Sequence, residues 1–192
     1  MREILWAAAL VAGLAPGAAV AQVRTYYRAG AWDAFSGRND KGGAECGIGT
    51  TLPDLRRLTV QFTIGGTDTV FSASKPDWSI PDNTPVTVVM QIGLNTPWTE
   101  QATGHGHAID WSLDPGAMPL FDQQFRGASS MTVTFPNGNE PPWSLSLDGS
   151  TEISETITRC VRDLTRQVEA AGPTPPPSGP VPQGATQPFS PR

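Results

Sequence analysis

The hydrophobic period of this chain changes once, near residue 150, and the change divides it into a β part and a helical part. Before that point apolar residues alternate with polar ones. Leu58, Val60, Phe62 and Ile64 are separated by Thr59, Gln61 and Thr63, the pattern of a strand with one buried face. Val86, Val88 and Met90 repeat it, and Val89 makes that segment apolar on both faces, as in an interior strand. Met131, Val133 and Phe135 alternate again, and Trp143, Leu145 and Leu147 form a last strand. Gly65-Gly66 and Asn137-Gly138 mark turns. Phe121 and Phe125, four apart, predict one or two helical turns in this otherwise β region. From Ile153 the spacing becomes three and four. Ile153, Ile157, Cys160, Val161, Leu164 and Val168 share one helical face. Ser150 is the predicted N-cap, Glu152 sits in the favourable first turn, and Gly172 followed by Pro173 is the stop. The expected fold is mainly antiparallel β, a sandwich or flattened barrel, with a C-terminal α-helix at about 151–171.

The two ends stand apart from this pattern. Residues 1–21 read as a secretory signal peptide: Arg2, a short apolar run from Ile4 to Leu14, then Ala19-Val20-Ala21 as a small-x-small cleavage site. The apolar run is too short for a bilayer, which takes roughly 20 residues, and no later stretch predicts a membrane span. The expected β domain is 22–171. Residues 172–192 form a Pro-rich tail, with eight prolines from Pro173 onward. It has too little apolar surface to fold and is predicted to be disordered.

An exported chain meets an oxidising compartment, so Cys46 and Cys160 are expected to form a disulfide that pins the helix to the strand carrying Cys46. The predicted location is periplasmic or secreted. The net charge of −5 and a pI near 4.9 argue against nucleic acid, whose phosphates need a basic stripe.

Few residues offer chemistry. There is no Gly-x-Ser-x-Gly elbow and no phosphate-binding loop, and no cofactor is predicted. His105 and His107 are the only histidines and flank Gly106. On a strand they would share a face and reach one metal ion, with Glu100 or Asp110 as a third ligand. Set between glycines, two histidines more often belong to an exposed loop than to a metal site. Glu100, Asp110, Asp114 and Asp122 gather acidic groups in one region, although isolated Asp residues in such sequence usually shape turns. Trp98 falls in a loop-like stretch, either as an exposed binding contact or folded back on the core. His107 to Leu113 is a further candidate strand, and contacts are expected from the loops, notably 93–112.

Several features together resemble the invasion-associated locus B family of small exported alphaproteobacterial proteins. They are Trp32, the early Cys46, Trp78 ahead of the strand ending at Ile92, and Leu145-Ser146-Leu147-Asp148-Gly149-Ser150 leading into a Cys-bearing segment. The resemblance covers about 30–165. It implies a compact β domain in the periplasm or outside the cell, in some members linked with host-cell invasion. The chain departs from the pattern in its two cysteines, its closing helix and its Pro-rich tail. The functional expectation is an exported binding or interaction protein without catalytic activity, its partner an envelope or host protein. The alternatives are a small secreted hydrolase or metal-dependent enzyme using His105 and His107, and an inhibitor of an envelope or host enzyme.

Overall fold

Alternation buries one face of each strand, and the buried faces here line the inside of a single curled sheet. The computed structural model describes residues 23–39, 41–66 and 69–171. The signal-peptide and tail readings lie outside the described residues. Ten strands pair antiparallel: β1 (Arg24–Ala29), β2 (Trp32–Arg38), β3 (Ala44–Thr51), β4 (Arg57–Thr63), β5 (Thr69–Ser74), β6 (Ile80–Ile92), β7 (Trp98–Gly106), β8 (Ala108–Leu113), β9 (Ser130–Thr134) and β10 (Trp143–Ser146). Their order is β1-β2-β3-β4-β5-β8-β7-β6-β9-β10. A short 3-10 turn, Pro115–Ala117, leads into α1 (Met118–Gly127), and α2 (Ser150–Ala171) ends the described chain. Mainly antiparallel β with a C-terminal helix is therefore the fold, as one curled half-barrel. Among the described residues no helix is long and apolar enough to cross a membrane.

The inward residues are those the period selects. Ile48, Leu58, Val60, Phe71, Trp111, Val88, Met90, Val133 and Leu145 are buried together with Phe121 and Phe125 of α1 and Ile153 and Ile157 of α2. β6 pairs with β7 on one side and β9 on the other, the interior place that Val89 suggests. It is longer than its alternation shows and includes Pro81 and Pro85. Pairing with β9 starts only at Val89, so the missing proline N–H groups interrupt no ladder on that side.

Strand β3 contains Gly47 and Gly49, which weaken its sequence pattern. Packing explains the first. Gly47 lies opposite Phe35, whose ring would be 2.1 Å from an added Cβ. The aromatic ring covers the strand and occupies the glycine's missing side chain.

The sheet closes at one corner by backbone contact and not by a ladder. Ala31 N–H donates to the Asp148 carbonyl at 3.1 Å, and Trp32 Nε1 donates to the Ser146 carbonyl at 3.0 Å. Two glycines make the approach feasible. Gly149 has φ +82, and an added Cβ would lie 2.2 Å from the Ala29 carbonyl oxygen; Gly30 has φ +52 and faces Asp148 at 2.3 Å. Gly149→Ala is expected to destabilise the domain by about 3 kcal/mol, combining left-handed strain with overpacking. A urea unfolding midpoint equal to that of the wild type would contradict this closure.

The start of α2 differs by one residue from its sequence reading. Ile153 N–H donates to the Gly149 carbonyl, so Gly149 takes the cap position and Ser150 is already helical. The φ that lets Gly149 approach Ala29 also turns the chain into the helix.

Candidate functional site

Two helices lie over the same inner face of the sheet without closing the space between them. Asp114 starts the first: its carboxylate accepts the Gly116 N–H at 2.7 Å and so shapes the 3-10 turn ahead of α1. Phe121 and Phe125 then point to the core at helical spacing. Phe121 packs edge-on against Phe71 at 5.0 Å, and Phe125 packs edge-on against Trp32 at 4.8 Å. The second helix is held by Ile153 and Ile157 and by the predicted disulfide, Cys46–Cys160.

An open groove of about 410 Å³ remains between them. Ile48, Val60 and Phe62 form its floor; Met118, Phe121 and Phe125 form one wall, and Ile157 and Val161 the other. Its polar contributions are Asp122, Ser154 and Thr158. The Thr158 hydroxyl donates to the Ser154 carbonyl one turn back, at 2.9 Å. Asp122 lies 3.6 Å from Arg126. An apolar concavity of this size with a few polar groups at its edges is the usual form of a small-molecule site.

Of the residues singled out in the sequence for chemistry, Asp122 lines the groove and the others are placed elsewhere. The segment 93–112 is not a loop: β7 and β8 occupy most of it as a hairpin. Trp98 opens β7 half-buried, donates to Gln124 Oε1 at 2.7 Å and packs against Phe121, so it folds back on α1. His105 and His107 take different partners. His105 Nε2 lies 2.7 Å from Asp110 Oδ2, whereas His107, on the turn after β7, places Nδ1 2.5 Å from the Trp78 carbonyl. Asp110 reaches His105 because the turn reverses the count of faces: Thr103 pairs with Asp110 and His105 with Ala108. Glu100 alternates to the other face of β7, where burial pushes its carboxyl up from the ordinary value. Among the described residues no three of His, Cys, Asp and Glu come together as a group able to hold a metal ion.

Glu140 is a polar centre that the sequence does not mark. Its carboxylate accepts Trp143 Nε1 at 3.0 Å, and Trp78 Nε1 and Lys75 Nζ at 3.2 Å. Trp78 stacks on Trp143 at 5.5 Å, and the Arg56 guanidinium sits over the Trp143 ring. The two indole N–H groups are the available signal, since a buried Trp needs an acceptor. Burial pushes the Glu140 carboxyl up, but the three donors and the Lys75 charge pull it further down, below the ordinary glutamate value. The sign follows: its stabilisation is complete above the unfolded value, about 4.3, and is lost as pH falls through the lower folded value. Glu140→Gln is expected to cost about 1–3 kcal/mol at neutral pH and to flatten the stability slope below pH 4.3. Denaturant midpoints measured across acid pH check both; an unchanged slope would remove Glu140 from the acid response.

Fold and site together define a disulfide-anchored antiparallel half-barrel with an apolar groove under its two helices. No family model and no curated protein matches the chain. Among solved structures it is similar to the crystal structure of invasion associated protein B from Bartonella henselae, at 11% identity and a TM-score of 0.43, over 75% of this chain and 99% of that one. That likeness is diffuse.

Proposed function

We propose that this chain is an exported envelope protein that binds and does not catalyse, with the groove between α1 and α2 as its ligand site. The groove carries the reading. It is apolar on three sides, open, and of ligand size at about 410 Å³. The leader-like residues 1–21 and the Cys46–Cys160 disulfide support export, because such a bond persists in oxidising compartments. An envelope or host protein as a further partner belongs to the same reading.

Two experiments test it. A neutral apolar fluorophore, N-phenyl-1-naphthylamine, is expected to bind saturably at one site. Val161→Trp, which fills the groove, is expected to weaken that binding at least about tenfold, the loss of a buried ring contact. Equal binding in the filled variant would place the ligand elsewhere. For export, residues 1–21 fused to an alkaline phosphatase that matures only outside the cytoplasm are expected to yield active enzyme; an inactive fusion would overturn the location.

A further inference from the structure

The groove opens beside a basic cleft. Ser154 and Thr158 of α2 line both the groove and a neighbouring cleft of about 360 Å³. Arg126 from the last turn of α1 and Arg159 and Arg162 from α2 wall that cleft, with Glu155 among them. Helical geometry sets this division. Ser154, Thr158 and Val161 face the groove, and Glu155, Arg159 and Arg162 each lie one residue on, turned about 100° outward.

All three arginines are exposed, on a chain whose net charge is −5. Arg126 lies 3.6 Å from Asp122 and offsets the one carboxylate that lines the groove. Arg159 donates to the Thr156 hydroxyl at 2.9 Å, a neutral partner. Arg162 makes no ion pair among the described residues. An apolar trough therefore continues into a cationic rim with guanidinium donors to spare.

We propose that groove and rim form one site for an anionic single-chain amphiphile, a fatty acid. This rests on the groove being a ligand site and names what it takes. The alkyl chain lies between α1 and α2 against Ile48, Phe125 and Val161, where burial of each methylene is favourable. The carboxylate meets Arg126, Arg159 and Arg162, whose planar guanidinium groups match a carboxylate in charge and in paired donors.

The test compares dodecanoate with dodecan-1-ol, which has the same chain and no charge, by calorimetric titration of the folded full-length chain below the micellar range. Both are expected to bind one site, the acid about tenfold more tightly at low salt, with the advantage shrinking as salt rises. The triple variant Arg126→Gln, Arg159→Gln, Arg162→Gln is expected to erase the acid's advantage and leave the alcohol's affinity unchanged. These side chains are exposed, and an unchanged thermal midpoint verifies the variant's fold. Equal affinities for acid and alcohol in the wild type, or an acid preference that survives in the variant, would overturn the anionic site while leaving the groove reading standing. Binding of neither probe would overturn both.

Discussion

Replacing both Cys46 and Cys160 with alanine is expected to destabilise the domain by about 5 kcal/mol. The cross-link closes a loop of sequence separation 114, and the chain-entropy cost of releasing such a loop is about 4.8 kcal/mol at 25 °C. Folded domains are stable by only about 5–15 kcal/mol, so the variant would lie near its threshold. A domain of this size loses roughly 2–4 °C per kcal/mol, so the thermal midpoint is expected to fall by roughly 10–20 °C. The structure also says where the loss appears first. The buried apolar side chains of α2, Ile153 and Ile157, lie in its first half, whereas Val161 and Leu164 are half-buried and Val168 is exposed. Without the bond at Cys160 little holds the second half against the sheet. Amide exchange should therefore lose protection in the later turns of α2 before it does so in β3. Uniform loss of protection, or an unchanged midpoint, would show that the disulfide does not anchor the helix.

Trp32→Ala is expected to cost about 4–5 kcal/mol, at the upper end for a buried aromatic. Trp32 is 1% exposed and joins three separate parts of the chain. It stands on β2, packs edge-on against Phe125 of α1 at 4.8 Å, and donates to the Ser146 carbonyl at the end of β10. Its removal leaves a cavity beneath α1 and frees the corner where the sheet closes. Trp32→Phe separates the two contributions. It keeps most of the ring contact and loses the bond to Ser146, for which about 1–2 kcal/mol is expected. Chemical denaturation of both variants checks the ordering. Equal costs would mean that the hydrogen bond, and not the packing, carries the effect.

What could be read in the sequence follows from where the physics is local. Period-two alternation and the later helical face depend on a single element meeting a single core, so β4, β6, β9, β10 and α2 are legible before any contact is known. The Cys46–Cys160 bond is legible for another reason: the chain has only two cysteines and a leader-like start. Contacts between distant elements are not legible. Gly47 in β3 makes sense only with Phe35 opposite it. Glu140 gathers Lys75 and Trp78 from 65 and 62 residues away. His105 meets Asp110 because a turn intervenes, and counting along one strand places them on opposite faces. The strand from His107 to Leu113 is legible and appears as β8, whereas Gly, Pro and Asn before it suggest a loop where pairing with β6 and β8 makes β7. The groove belongs to no segment. It is the space left between α1 and α2, and no period predicts a space.

The most direct test of the account is a map of backbone amide shifts as the neutral dodecan-1-ol is added to the folded protein. Saturable changes are expected, confined to α1, the first three turns of α2, and the strands beneath them, around Ile48 and Val60. Changes centred on the β7–β8 hairpin at His105 and His107, or none at all, would contradict the groove as the binding site.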